Sequence, residues 1–214
     1  MMIKTKSKYL LRKRLEVLKF SKILVAANGF TTNTPKSVSN KFNLDTNETE
    51  ILFPEGNNDL IKFALEQLNV DLENACKKID LIRLPVHKRI RKILLLKLSM
   101  MHKDKSFYKK IFLNLLIPKR NILMPIQLYK SIDQIWFMAG DTSTDFNFYT
   151  KRLILGGIYT RVVLFFFNND DQSELEKILD TNLRRVSKIP KLKSKINILK
   201  DSFPKILKFV KNFS

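Results

Sequence analysis

The chain has one cysteine, Cys76, in 214 residues. An internal disulfide is excluded, and a reducing compartment is expected. Histidines number two, His87 and His102, and neither has a carboxylate at metal-ligand spacing beside it. Both are read as residues of a basic helix rather than ligands. Five glycines and seven prolines, set against abundant Leu, Ile and Lys, argue against a sandwich or barrel and for an all-α protein. No phosphate loop, dinucleotide fingerprint or nucleophile elbow occurs. Asp133, Asp141 and Asp145 gather near one corner, but no Glu-x-x-His pair accompanies them, so a di-iron centre is unsupported. The longest apolar run, Leu153 to Phe167, is short of the roughly 20 residues a membrane span needs and holds Arg161. A non-enzyme without metal or cofactor is expected.

What the chain does have is positive charge. The formal net charge is +20, which points to an anionic partner, either nucleic acid or an acidic membrane surface. The charge is segregated. Residues 1–22 carry eight basic side chains and one acidic, residues 77–110 twelve and two, and residues 184–211 ten and one. Residues 43–76 reverse this, with eight acidic side chains and Lys62 alone basic.

Apolar spacing at Leu11, Leu15, Leu18, Ile23, Val25 and Ala26 predicts a helix from about Lys8 to Asn28, closed by Gly29. Thr34 before Pro35 reads as the cap of a short helix, with the proline at its first position. A third short helix is expected over Leu44 to Phe53, and a longer one, capped by Asp59, from Leu60 to about Ile79. This is the layout of a three-helix, helix-turn-helix head with a connecting helix. The third helix, which would enter the DNA major groove, holds Asp45, Glu48 and Glu50 and no Lys or Arg. An acidic helix at the groove opposes phosphate binding. The head is therefore expected to be degenerate, and a nucleic-acid partner is not expected; a DNA-binding regulator that uses another basic surface, such as residues 1–22, is the alternative.

Val86 to His102 is amphipathic, with Ile90, Leu94, Leu98 and Met101 in one stripe. Glu174 to Ser187 repeats the pattern with Leu175, Ile178, Leu179 and Leu183. Beyond Pro190 a charged linker leads to a segment with Phe203, Ile206, Leu207, Val210 and Phe213 on one face and Lys205, Lys208 and Lys211 on much of the rest. That composition suits a helix lying in a membrane interface. The organisation expected is a head and connecting helix over residues 8–80, a helical bundle over 81–188, and a basic linker with a membrane-binding helix over 189–214.

The aromatic-rich stretch is Ser131 to Asn168, with the single tryptophan, Trp136. Gly140 fits a helix C′ position, and Thr142 with Asp145 fits a capping box. Phe148 and Tyr149 lie one turn beyond, followed by Thr150, Lys151 and Arg152. Large aromatics beside fixed charges are the usual make-up of interface anchors.

Trp136, then Ala139-Gly140-Asp141, then Ser143 to Arg152, then Ile158-Tyr159 together resemble the signature of the ubiquinone-biosynthesis accessory proteins. Those are lipid-binding relatives of tetracycline-repressor-type regulators. The resemblance is strong from Trp136 to Tyr159 and weak in the head. It implies a TetR-like helical bundle, expected as a homodimer, that encloses an isoprenoid lipid or quinone-precursor pocket and presents the lipid to the demethoxyubiquinone hydroxylase. It implies a terminal helix docked on an anionic membrane. By motif position the partner patch holds Asp145, Phe148, Tyr149 and Arg152. Phe148 stands where the family usually has tryptophan and lacks the indole N–H, and Gly156-Gly157 replaces the more usual alanines. Pocket-lining candidates are Trp136, Leu153, Ile154 and Tyr159. The expected location is the bacterial cytoplasm at the inner membrane, or the matrix side of the mitochondrial inner membrane.

Overall fold

A computed structural model describes residues 2–115, 123–142 and 146–187. Among these there are nine helices and no strand, as the composition requires. They are α1 (Met2–Asn28), α2 (Thr34–Phe42), α3 (Thr46–Leu52), α4 (Asn57–Cys76), α5 (Val86–His102), α6 (Lys105–Leu115), α7 (Leu123–Met138), α8 (Phe146–Asn168) and α9 (Gln172–Ser187).

The first helix begins at Met2, earlier than its apolar spacing indicated. Two expected caps belong to other residues. Asn33, not Thr34, caps α2, and its side chain accepts from the Lys36 N–H at 3.2 Å. Thr34 is fully buried, and its N–H donates to Asn57 Oδ1 at 2.8 Å, tying α2 to the start of α4. The fourth helix starts at Asn57 after Gly56, whose φ of +56° lies in the region glycine tolerates. Asp59 sits inside that first turn and accepts from the Glu55 N–H. Asp45 caps α3 and accepts from the Glu48 N–H.

The head of α1–α3 packs on the bundle through α1 against α6 and α2 against α4. Arg14 lies over the rings of Phe53 and Phe63, at 5.0 and 4.2 Å, and so joins α1 to the end of α3 and to α4. In the bundle, α4 packs on α5 and α7, α7 on α8, and α8 on α9. Helix α5 touches α4, α6, α7, α8 and α9, and its stripe of Ile90, Ile93, Leu94, Leu98 and Met101 is buried. One further residue shares that stripe. Lys97 is 1% exposed.

No helix among the described residues is long and apolar enough to cross a membrane. The membrane-binding candidates Phe203, Lys205, Ile206, Leu207, Lys208, Val210 and Phe213 lie outside the described residues, as does Asp145.

Candidate functional site

The α7–α8 corner is built on a helix stop. Gly140 has φ of +82°, its N–H donates to Phe137 O, and the Asp141 N–H donates back to Trp136 O at 3.0 Å. This is the paired bonding of a Schellman motif, and it turns Asp141 inward. A methyl group at Gly140 would stand 2.8 Å from Arg89 Nη1. That guanidinium donates to Ala139 O, Leu84 O and Ile82 O, so it holds the corner to the α4–α5 loop.

Asp141 meets two cations of the first turns of α8. Lys151 Nζ donates to its Oδ1 at 2.8 Å, and Arg152 Nη1 to its Oδ2 at 3.2 Å. Arg152 Nε also donates to Asp133 Oδ1 on α7 at 2.6 Å. Its Nη1 reaches Phe148 O, and its guanidinium lies 3.3 Å from the centre of the Phe148 ring. The Arg152 side chain is 6% exposed and that of Asp141 4%. A buried cation is tolerated here because two carboxylates, a carbonyl and a π face surround it.

Trp136 completes the corner. It is buried, its indole N–H donates to Lys151 O at 3.1 Å, and Lys151 Nζ lies 5.5 Å from its ring. Around this base apolar side chains are exposed beside Asp133 and Lys151, whose side chains are 44% and 39% exposed. Phe137 is 73% exposed and Leu153 63%, while Tyr129 and Tyr149 are over one-third exposed. Phe148 and Tyr149 meet edge to face at 5.1 Å. Partial burial, then Asp133, raise the Tyr129 phenol above its ordinary pKa, with Arg152 opposing.

The sequence-predicted site residues that lie among the described residues fall into two groups. Phe148, Tyr149 and Arg152 come together at this corner; Arg152 acts from beneath, as a brace, while Tyr149 faces out. Of the pocket candidates, Trp136 is part of the same corner, Leu153 points outward, and Ile154 packs half-buried against the core. Tyr159 is half-buried two turns further on. None of the four lines the grooves along α5 and α9 or the groove between α1 and α6. Gly156 and Gly157 are not required by close packing, because a Cβ at either would meet nothing within 4 Å.

Lys97 was missed by sequence reasoning. Its ammonium donates to Asn69 Oδ1 at 2.8 Å and lies 5.3 Å from the Tyr159 ring centre, and no described carboxylate pairs with it. Burial pushes its pKa down to about 7, and burial likewise raises the Tyr159 phenol. The signal was legible: position 97 follows Ile93 by four and Leu94 by three, inside the apolar stripe. Cys76 is buried, and burial raises its thiol. Among the described residues no three His, Cys, Asp or Glu side chains stand together as a metal site.

Residues 124–192 match the COQ9 family model, which takes in the corner, α8 and α9. The chain is 38% identical over 74 residues to the mitochondrial ubiquinone biosynthesis protein COQ9 of Rattus norvegicus, covering 33% of this chain and 24% of that one. It is 30% identical over 142 residues to the mitochondrial ubiquinone biosynthesis protein COQ9-A of Xenopus laevis, covering 62% of this chain and 44% of that one. It is 28% identical over 128 residues to the probable mitochondrial ubiquinone biosynthesis protein coq9 of Dictyostelium discoideum, covering 59% and 41%. The chain thus spans under half the length of these curated relatives. The matched segment begins at the helix that carries Trp136 and ends past the last described helix, and over it the chain is similar to the COQ9 family of ubiquinone-biosynthesis proteins.

Proposed function

We propose that this chain serves ubiquinone biosynthesis as a non-catalytic accessory protein that binds an isoprenoid quinone precursor and presents it to the demethoxyubiquinone hydroxylase at a membrane. The observation that carries the reading is the α7–α8 corner. There Tyr129, Phe137, Tyr149 and Leu153 are exposed on a base fixed by the buried Arg152–Asp133–Asp141 network. An exposed apolar cluster on a rigid support is what a protein partner uses as an anchor. A polyprenylated ring is nearly insoluble in water, so a carrier that shields it during transfer lowers the barrier without chemistry of its own. The names of the relatives favour the mitochondrial of the two expected locations, on the matrix face of the inner membrane, and the working form in this reading is a homodimer.

Two measurements test it. Binding of the purified hydroxylase is compared between wild type and Tyr149→Lys/Leu153→Lys, two outward changes that leave the ion network untouched. The double variant is expected to bind at least about 30-fold more weakly; equal binding removes the corner as the partner surface. Native mass spectrometry of the purified protein is expected to find an isoprenoid lipid. A ligand-free protein that takes up none from micelles sinks the carrier role.

A further inference from the structure

The face opposite in character to the aromatic corner is the groove between α5 and α9. It encloses about 610 Å³ and has an apolar floor of Leu84, Leu95 and Leu183. Its rim carries Lys88 and Lys92, one turn apart on α5, and His87. Both lysines are exposed, and neither has an ion-pair partner among the described residues. Arg91, between them, is different: it donates to Asp180, the one carboxylate that lines the groove, and to Glu176 one turn away on α9. The wall is thereby fixed, and the remaining charge of the rim is positive.

Two further features lie beside it. The α4–α5 loop exposes Ile82 to 84%, and α5 opens with Val86 43% exposed. Large aliphatic side chains held out beside uncompensated lysines are unfavourable in water and favourable at a lipid interface. The groove also adjoins the end of α9 at Ser187, one turn past Leu183. From there the chain continues through residues 188–214, which carry eight lysines and one carboxylate, Asp201.

Positive charge selects an anion. The leucine floor and the exposed Ile82 and Val86 select an amphiphile over a nucleic acid, which would leave them in water. We infer that the α5–α9 groove with the Ile82–Val86 edge is a docking surface for an anionic phospholipid bilayer, with lipid phosphate between Lys88 and Lys92 and the apolar part of the lipid on Leu84, Leu95 and Leu183. This deepens the membrane step of the function proposed above. Its test uses neither quinone nor hydroxylase, so the two can fail separately.

The full chain is co-sedimented with vesicles of phosphatidylcholine alone or mixed with phosphatidylglycerol. Binding is expected only to the mixed vesicles. Lys88→Gln/Lys92→Gln is expected to weaken it about 30-fold, at a few-fold per lysine, whereas Lys8→Gln/Lys41→Gln, with the same change of net charge on the head, leaves it within about 2-fold. Equal loss in both variants, or none in the first, overturns the assignment. Amine-reactive labelling of the wild type needs no variant: Lys88 and Lys92 are expected to be shielded by mixed vesicles while Lys41 stays reactive. Unchanged labelling at Lys88 and Lys92 also overturns it.

Discussion

The head and the bundle hold their charge in opposite ways. In the head, Glu48 pairs with Lys13 and Glu50 with Lys36, and the side chains of the second pair are about half exposed. Among the described residues of the bundle, two cations are buried. Arg152 is enclosed by Asp133, Asp141, a carbonyl and the Phe148 ring, and Lys97 has Asn69 and a tyrosine face and no described counter-ion. Exposed pairs are screened and contribute little. Buried ones must be fully compensated or they cost stability. The head thus holds the carboxylates of its acidic third helix in surface pairs, whereas the bundle uses buried charge to fix geometry beneath a surface.

The largest break in this comparison is Arg152→Ala. It leaves Asp141 buried with Lys151 still beside it and removes the bond from α8 to Asp133 on α7. A loss of about 3–5 kcal/mol in unfolding free energy is expected, the usual cost of breaking a buried pair on one side. Urea unfolding measures it. Arg152→Lys is expected to recover less than half, because an ammonium cannot reach Asp133, Asp141 and the Phe148 carbonyl together. Full recovery by lysine would mean that only the charge matters at this site, not the planar fork.

Lys97 gives the next largest effect, read through pH. The folded pKa of about 7 lies below the ordinary lysine value of 10.5. Between those two values the unfolded chain binds the proton and the folded chain does not, so this group makes stability rise with pH from about 7 toward 10, by a few kcal/mol in all. Below about 7 both states are protonated and the full penalty of burying the charge remains. In Lys97→Met the rise contributed by this group should be absent, and stability at pH 6 should be higher than wild type by about 1–3 kcal/mol, reduced by the Asn69 carbonyl left without its donor. Thermal unfolding across pH 6–10 checks it. A parallel pH profile in both proteins would show that Lys97 does not titrate in the folded chain.

The same contrast explains what the sequence made legible. Helical periodicity was enough for α5 and α9, because their stripes of Ile90, Leu94, Leu98 and of Leu175, Leu179, Leu183 are one-sided and buried as read. The stop at Gly140 was readable because a positive φ has few residues that suit it. Caps were less so: Asn33, Thr34 and Pro35 all favour a helix start, and it is the long-range bond from Thr34 to Asn57 that decides among them. Roles at the site were least legible. Arg152 and Tyr149 look alike as neighbours in a motif, yet one turns under the corner and the other out, and that depends on where Asp133 and Asp141 arrive from α7. Leu153 reads as core in an apolar run and is exposed, because α8 is apolar on nearly every side and its pattern does not mark a face.

The smallest effect tests the head. Lys36 Nζ stands 2.8 Å from Glu50 Oε1, the best geometry any ion pair of α2 and α3 offers, with 52% and 48% of the side chains exposed. If the head holds charge only at its surface, even this pair is weak. A double-mutant cycle of Lys36→Ala and Glu50→Ala should return a coupling of about 0.5 kcal/mol or less, falling toward zero in 1 M salt, where the screening length is about 3 Å. Glu50→Ala alone should leave the fold intact and make the face of α3 less acidic. If that variant then gains salt-resistant, sequence-selective DNA binding, the acidity of α3 alone kept the head from reading DNA. A coupling well above 1 kcal/mol would show instead that the pair fixes α2 against α3 as Arg152 fixes α7 against α8, and the distinction between head and bundle would rest on burial without a difference in use.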